Sequence, residues 1–268
     1  MKIFCLSIYN DNYKKFKKLD LIPVGLGNAN FDSQWLNDKG TLNISDKNKN
    51  FGEYTFHFHL WKNILIDKNY NDWIGFCSYR RFWTNGSKAN IQSLEDLNNI
   101  LIKNQKMEWE KFDIILGEPL IFKKIKNSKL IKRNIIEVIK KPSVLFRENT
   151  LMDQFRIFHG SFFLEKSIEL LPSVNQSDFL KFLNGYELNP YNMFICRNSE
   201  ILKQFYEEIF PWLFRCEEEF KDLNLQGYDK VRIYGFLAER YMPYWFKKNF
   251  NTTTCPITFF ETQDTKKN

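Results

Sequence analysis

Two adjacent arginines, Arg80 and Arg81, follow a continuous apolar stretch at residues 73–77, separated from it by two residues. Such a stretch is typical of a buried central strand, and ligands of open α/β sheets bind beyond the carboxyl ends of such strands. A guanidinium group is permanently charged and binds phosphate oxygens in a bidentate fork. The pair therefore predicts a site for a phosphorylated ligand, with Ser78 and Tyr79 beside it. The alternative is a pair of surface arginines that follow a strand.

Glu239 is the candidate general base. On the helix predicted at residues 230–248, Arg232, Gly235 and Glu239 fall along one face at i, i+3 and i+7. Proton removal from an acceptor hydroxyl requires a carboxylate or a histidine, and Gly235 would leave space beside the Glu239 carboxylate. The alternative role of Glu239 is an ion pair with Arg232 or Arg240 that fixes the helix.

A long polar loop is predicted at residues 28–50, and loops of this length inside a compact domain tend to be functional. Its candidate nucleotide-binding side chains, which could instead cap the loop, are Asn43, Ser45, Lys47 and Asn48. Glu53 follows near the start of a helix. It either binds hydroxyl groups of the ligand or acts as a favourable first-turn carboxylate.

Four further side chains are candidates with structural alternatives. Asp153 and His159 are the other possible bases, should Glu239 only form an ion pair. Asn192 is a candidate ligand-binding residue, or else an ordinary strand residue. Trp83, close to the arginines, is a candidate for stacking on a ring of the ligand, or else a core residue.

The standard phosphate and metal signatures are absent from the sequence: GxxxxGK[ST], GxGxxG after the first strand, GxSxG and HExxH. His57 and His59 would point away from each other on a helix, although they could share a metal on a strand. The five cysteines are scattered and odd in number, so we expect no disulfide framework and no cysteine-rich zinc site. We predict no metal and no other cofactor.

Strand and helix patterns alternate along the chain. Strands are predicted at residues 2–10, 73–77, 112–116, 161–164 and 191–196, and helices at 54–63, 93–105, 200–220 and 230–248. This alternation predicts an α/β fold with a mixed, mostly parallel sheet flanked by helices. Because no repeat and no Pro-, Gly- or Ser-rich linker is present, we predict one catalytic domain at residues 1–250. Residues 251–268 are predicted to be a C-terminal tail, partly extended or disordered.

Composition argues against a disordered, a membrane-spanning and a secreted protein. Of 268 residues, 43% are hydrophobic and 17% aromatic, which argues against disorder. No apolar run approaches the roughly 18–20 residues of a membrane-spanning helix, and the start does not resemble a secretory signal. We therefore expect a cytoplasmic protein.

The net charge of +7 is compatible with nucleic acid, an anionic membrane or a phosphorylated substrate as partner. Lysines are densest at residues 123–133 and 140–141, without the interleaved aromatics of a single-strand binder. We expect no nucleic-acid partner. The basic residues form either a solvated rim or a peripheral contact with acidic phospholipid at the inner membrane face.

Several blocks follow one another in a characteristic order. They are Asn-Ile-Ser and Lys-Asn (43–48), a helix led by Glu53 that ends in Trp-Lys-Asn (61–63), an Ile-Gly strand running into Ser-Tyr-Arg-Arg (74–81), Asn-Met-Phe-Ile (192–195) and Gly-Phe-x-x-Glu-Arg (235–240). This set resembles the bacterial capsular-polysaccharide glycosyltransferase family catalogued as domain of unknown function four-four-two-two. The chain departs from it at Ser78, where the family usually has His, and at Gly52, where it often has Cys.

The resemblance implies a GT-A-like fold. It also implies transfer of a hexosyl or galactofuranosyl group from a nucleotide-diphosphate sugar, UDP-linked by expectation, to a glycan or lipid-linked glycan of a capsular or O-antigen type. GT-A enzymes commonly hold a divalent ion with an Asp-x-Asp motif after a central strand. This chain lacks the motif and has Tyr79, Arg80 and Arg81 there, so we expect arginine to stabilise the diphosphate in place of a metal.

Two other functions stay open at this point. Ser78 in place of the family histidine favours a catalytically inactive nucleotide-sugar or carbohydrate-binding protein. A nucleic-acid-binding module is favoured only by the pI near 9.0.

Overall fold

Strands and helices alternate along the first part of the chain, and the second part is mainly helical. The structure is a computed structural model that describes residues 1–65, 70–86, 91–123 and 125–263. The strands are β1 (Lys2–Ser7), β2 (Ile22–Gly25), β3 (Leu36–Asn37), β4 (Ile74–Ser78), β5 (Arg81–Trp83), β6 (Ile114–Gly117), β7 (Leu120–Ile121), β8 (Glu187–Leu188), β9 (Phe194–Cys196), β10 (Thr252–Cys255) and β11 (Ile257–Phe259). The helices are α1 (Tyr13–Lys18), α2 (Asn48–Phe51), α3 (Tyr54–His59), α4 (Leu94–Ile100), α5 (Asn127–Lys140), α6 (Leu151–His159), α7 (Ser161–Glu169), α8 (Ser173–Leu183), α9 (Ser199–Phe220), α10 (Tyr228–Val231) and α11 (Ile233–Asn249).

Within the described residues, nine strands form one sheet whose main order is β10-β6-β9-β4-β1-β2-β3. Strand β1 runs parallel to β2 and β4, and β10 runs parallel to β6. Strand β9 joins the two parallel parts by pairing antiparallel with β4 and β6. The predicted α/β fold with a mixed, mostly parallel sheet is confirmed.

Apolar side chains cover both faces of this sheet because successive side chains on a strand point to opposite sides. On β1, Phe4 and Leu6 join the larger core cluster, which includes the buried residues of α9 and α11. Ile3 and Cys5 join the smaller cluster with α1 and α4. Helices thus flank the sheet on both sides and form a single domain with it.

The C-terminal segment belongs to the sheet. Strand β10 pairs with β6, and β11 pairs with β5 in the antiparallel direction. Beyond β11, the Phe260 N–H donates to the Arg80 carbonyl oxygen at 3.0 Å, and the Thr262 hydroxyl donates to the Tyr79 carbonyl at 2.7 Å. The segment expected as a partly extended tail therefore supports the arginine-bearing turn. Residues 264–268 of that tail lie outside the described residues.

Two predicted strands are wrong in whole or in part. Residues 161–164 begin helix α7, since Gly160, at φ 102°, ends α6 and starts a new helix there. Short apolar runs do not by themselves distinguish a strand from a buried helix. Residues 191 and 192 form a turn before β9, with φ of 76° and 52°. The predicted loop at 28–50 also contains β3, a 3₁₀ turn at Ser45–Lys47 and the start of α2.

Candidate active site

A cleft opens at the carboxyl ends of β1, β2 and β4, where the sheet topology predicts a ligand site. It consists of two adjoining cavities of about 300 Å³ and about 260 Å³. Both cavities are lined by Glu53, Ser78, Arg81, Tyr228 and Arg232, so they form one continuous space. Their combined size is in the range of small-molecule sites, roughly 300–1,000 Å³.

The turn between β4 and β5 presents both predicted arginines to this cleft. Ser78 pairs with Arg81 across the turn, and Arg80 lies at its tip. The Arg80 guanidinium lies 4.7 Å from the centre of the Tyr79 ring and 3.6 Å from the Glu261 carboxylate. Arg81 stacks over Tyr191 at 4.1 Å and lines both cavities, whereas Arg80 lines only the first. Arg81 is therefore the central cation, and Arg80 stands at the edge.

Tyr79 lies beside the arginines with its hydroxyl held protonated. Burial is the main cause that raises the pKa of Tyr79 to about 12. Its ring meets Tyr9 edge-on at 5.1 Å, and both rings line the first cavity. The two tyrosines form an aromatic wall with a polar rim, suited to a planar ring with polar substituents.

Three cleft residues carry buried polar atoms with no hydrogen-bond partner among the described residues: Ser78 Oγ, Arg80 Nε and Asn192 Oδ1. Buried polar groups in folded proteins are nearly always paired, and each exception needs an explanation. A bound polar ligand would supply the missing partners.

Arg232 contributes a third cation that the sequence analysis assigned only as a partner for Glu239. Its guanidinium lies against the backbone of Gly52, which has φ 59° and no side chain. A Cβ at position 52 would lie 2.3 Å from Arg232 Nη2. Arg232 pairs with Glu53 at 3.2 Å and lies 5.6 Å from the centre of the Tyr228 ring. Gly52, one of the departures from the family pattern, thus makes room for this guanidinium.

Glu239 lines the second cavity, together with Arg232 and Gly235 of the predicted helix face. One carboxylate oxygen accepts the Tyr191 N–H at 2.8 Å, and the other pairs with Arg240 Nη1 at 2.6 Å. The ion pair expected as the alternative role is therefore present. Gly235 borders this cavity beside Glu239 and also packs α11 close to α2, where a Cβ would lie in ordinary contact, 3.4 Å from the Phe51 carbonyl oxygen.

The turn at Tyr191 and Asn192 is held in a conformation that non-glycine residues rarely adopt. Two consecutive residues have positive φ, and such strain persists only where surrounding contacts enforce it. Glu239 holds the Tyr191 N–H, and the Asn192 amide donates to the Gly235 carbonyl at 3.3 Å. The arrangement places Tyr191 under Arg81 and Asn192 in the wall of the second cavity.

His159 does not line the cleft, and its geometry contradicts a role as base. The ring is buried and stacks on Phe236 at 4.1 Å, while Nδ1 donates to the Asp229 carbonyl at 2.8 Å. Burial lowers the pKa of His159 to about 3, so the imidazole is neutral near pH 7. It holds α10, which carries Tyr228 at the cleft mouth.

Asp153 and Trp83 are also structural. Asp153 caps α6 by accepting the Thr150 N–H, and it pairs with Arg147 at 2.7 Å and Lys141 at 3.2 Å. Trp83 is 1% exposed, and its indole N–H donates to the Phe76 carbonyl at 2.9 Å. Neither side chain lines the cleft, so the structure does not bring either of them together with the other candidate site residues.

The loop candidates divide into two groups. Asn48 lines the first cavity, and its amide donates to the Gly52 carbonyl at 2.8 Å. Asn43 and Ser45 instead bond to each other at 2.8 Å, and Asn43 closes the loop on the Gly40 carbonyl. Lys47 pairs with Glu217 at 2.7 Å. For these three residues the structure shows the alternative role in the loop.

Within the part of the chain that the structure describes, no three His, Cys, Asp or Glu side chains come together in a metal-binding group. His57 and His59 lie on helix α3 rather than on a strand. His57 is buried beside the Tyr206 hydroxyl at 2.8 Å, and burial lowers its pKa to about 3. The five cysteines are all free thiols. Both glutamates of the cleft are already paired with arginines.

One family of known sequences matches residues 3–250, nearly the whole chain. The chain belongs to the DUF4422 family, a domain of unknown function. The resemblance noted from the ordered blocks is thereby confirmed. No curated protein matches the sequence of this DUF4422 chain.

A solved structure has the same fold. The apo structure of WbbM, described as a bifunctional glycosyltransferase, superposes on 97% of the DUF4422 chain with a TM-score of 0.69 and 18% sequence identity. The chain covers 45% of WbbM, so it corresponds to less than half of that protein. None of the described helices combines the length and apolar character needed to cross a membrane.

Proposed function

We propose that this protein is a glycosyltransferase that uses a nucleotide-diphosphate sugar, with UDP as the expected nucleotide. The observation that carries the proposal is that three arginines, Arg80, Arg81 and Arg232, line one cleft where the sheet ends. Among the described residues that line the cleft, the charged side chains are Arg80, Arg81, Arg232, Glu53 and Glu239. Both carboxylates are paired with arginines. The fold shared with part of WbbM supports the same assignment.

The diphosphate lies between Arg81 and Arg232 in this proposal, with Arg80 at its outer edge. A guanidinium fork matches two phosphate oxygens at once. Departure of the diphosphate develops negative charge, and cations fixed by the Tyr191 and Tyr228 rings stabilise that charge without reorganisation. The nucleoside lies in the first cavity, beside Tyr9, Tyr79 and Asn48.

The second cavity receives the transferred sugar and the acceptor, a glycan or lipid-linked glycan. Asn192 offers its unpartnered carbonyl oxygen to a sugar hydroxyl. Glu239 faces the same cavity and has lone pairs beyond the two that Tyr191 and Arg240 engage. We assign Glu239 as the base that accepts the acceptor hydroxyl proton.

Arginine charge takes the place of a divalent ion in this mechanism. The donor set supports the assignment, because the carboxylates of the cleft are separately committed to Arg232 and Arg240. Activity is expected to be unchanged by EDTA. Activity abolished by EDTA and restored by manganese would reject arginine as the substitute for a metal.

A thermal-shift screen with UDP, GDP, CMP and dTDP, each with and without EDTA, tests the proposal. A ligand at about 100 times its dissociation constant adds roughly 2.7 kcal/mol to the free energy of unfolding. We expect one nucleotide to stabilise the protein, and Arg81→Ala to abolish the shift. The matched control is Arg156→Ala, which removes an arginine paired with Glu165 outside the cleft. No shift with any nucleotide would contradict the proposal.

A second candidate is a nucleotide-sugar-binding protein without turnover. Ser78 favours it, because its hydroxyl stands where the family usually has histidine, and so does the engagement of both Glu239 oxygens. The two functions differ in slow hydrolysis of the bound nucleotide sugar. Hydrolysis that is lost in Glu239→Gln supports the enzyme, and tight binding without hydrolysis supports the binding protein.

A further inference from the structure

Helix α5 and the turn after it expose large apolar side chains to solvent. The exposed residues, here called the α5 surface, are Ile131, Ile135, Ile136, Ile139 and Phe146. Ile139 is 68% and Phe146 is 85% exposed. On the opposite side, Leu130 and Val138 are buried against Ile157 of α6. The helix is therefore already anchored to the protein, and its second apolar side faces outward.

The backbone of α5 supports this two-sided arrangement. Asn134 leaves the helical conformation, at φ −159° and ψ 86°. Its side-chain oxygen accepts the Glu137 N–H at 3.3 Å and so starts the second half of the helix. Leu130, before the kink, and Val138, after it, are both buried. Apolar groups clustered on a soluble surface mark an interaction site.

Positive charge is concentrated around the α5 surface. Residues 123–148 contain nine Lys and Arg but only two Asp and Glu, whereas the remaining 242 residues contain 30 of each. The whole net charge of +7 is thus carried by this one segment. Lys126 and Lys132 are exposed and form no ion pair with any described residue. Lys124 lies outside the described residues.

We propose that the α5 surface docks onto an anionic phospholipid bilayer and lies in its interface. Helices that bind in this way combine an apolar side with a rim of lysine and arginine. The four isoleucines are 43–68% exposed on the helix, which suits insertion between lipid headgroups. Phe146 borders a neighbouring cavity of about 360 Å³ together with Lys123 and Arg147. The lysine stems can lie along the apolar boundary while their charges reach phosphate. A second copy of the chain would instead bring two strongly positive segments together.

This surface is connected to the cleft. Arg133 of α5 pairs with Asp229 at 2.5 Å and lies 5.2 Å from the Phe158 ring centre. Asp229 adjoins Tyr228, which lines both cavities. Docking would therefore hold the mouth of the second cavity next to the lipid. In this respect the inference rests on the proposed function, because a lipid-linked acceptor would be presented at that mouth.

Vesicle sedimentation with the full chain tests the proposal, using phosphatidylcholine vesicles with and without phosphatidylglycerol. We expect binding only to the anionic vesicles, weakened by high salt. The double variant I136S/I139S should lower the vesicle affinity at least about tenfold. The variant K126Q/K132Q should lower the vesicle affinity about 25-fold, since the loss of each charge lowers it roughly fivefold.

Matched controls separate the α5 surface from general effects. Met107→Ser removes another highly exposed apolar side chain, and K17Q/K18Q removes two charges from α1; both should bind vesicles like the wild type. All variants should keep the wild-type melting temperature and nucleotide-induced shift. Absence of wild-type binding to anionic vesicles, or equal binding by I136S/I139S, would overturn the proposal.

Two further outcomes show whether membrane docking or the proposed glycosyltransferase function has failed. A wild-type dimer that I136S/I139S converts to a monomer would assign the surface to a second copy and overturn membrane docking. Vesicle binding that depends on the α5 surface, in a protein that binds no nucleotide, would uphold docking and reject the proposed glycosyltransferase function.

Discussion

Glu239→Gln separates the structural role of this carboxylate from its proposed role as base. Arg240 is 3% exposed, and its charge is balanced by Glu239 at 2.6 Å. Removing one partner of a buried ion pair costs about 3–5 kcal/mol. Glutamine keeps an acceptor for the Tyr191 N–H, so we expect a loss near the lower end, about 3 kcal/mol of unfolding free energy. For a chain of this size that lowers the melting temperature by roughly 6–12 °C.

The double variant E239Q/R240M removes the uncompensated cation as well. Methionine puts an apolar side chain in place of the buried guanidinium, so no unpaired charge is left buried and we expect most of the lost stability to return. Thermal unfolding of the wild type, both single variants and the double variant gives the coupling energy between the two side chains. Steady-state transfer or hydrolysis rates on the same four proteins give the catalytic effect.

In the double variant, the stability and the reaction rate should change in different ways. Loss of a general base lowers the rate by about 10²–10⁴-fold, and the double variant should stay at that low rate although its stability recovers. A double variant that regains both stability and activity would refute the assignment of Glu239 as base. It would then leave Glu239 as the residue that holds the Tyr191–Asn192 turn.

Three further predictions use other features of the structure. Arg81→Lys should weaken UDP binding by about tenfold or more in calorimetry, because lysine cannot form the bidentate fork, whereas Arg156→Lys should have no effect; equal affinity of Arg81→Lys and wild type would contradict the phosphate contact. His57 and His159 are buried and neutral, with pKa values of about 3. As the pH is lowered below about 6.5, these histidines bind protons in the unfolded chain before they do so in the folded protein. The free energy of unfolding therefore has its full value above about pH 6.5 and falls as the pH is lowered toward 3. The slope is up to about 1.4 kcal/mol per pH unit for each histidine, and His159→Gln should reduce it by one proton in urea titrations; an unchanged slope would contradict the neutral, buried state. Initial rates should be the same with and without EDTA, and a loss that manganese reverses would contradict the arginine mechanism.

The sequence predicted the position of the cleft because a strand buried on both faces has a recognisable pattern. The apolar run before Ser78 is strand β4, and the arginines after it stand at the sheet edge, where the fold places ligands. The shared side of Gly235 and Glu239 on α11 was also predictable, since helical spacing fixes which residues share a face; Arg232, predicted on the same helix, lies at the break just before α11. These features depend on local periodicity alone.

Other features depend on contacts between distant segments and could not be predicted in the same way. Arg232 meets Glu53 across 179 positions, and only Gly52 allows the approach. The sequence allowed Trp83 to stack on a ring of the ligand, but after the β4–β5 turn its side chain lies in the core, where the indole N–H donates to the Phe76 carbonyl. The positive φ at Tyr191 and Asn192 is imposed by Glu239 and by the Gly235 carbonyl rather than by the local sequence.

A crystal structure of the protein with UDP bound tests the central claim most directly. The account predicts the diphosphate between Arg81 and Arg232, within hydrogen-bond distance of at least one nitrogen of each, and the uracil near Tyr79. Diphosphate bound elsewhere, with Arg80 and Arg81 directed at solvent or at Glu261, would contradict it.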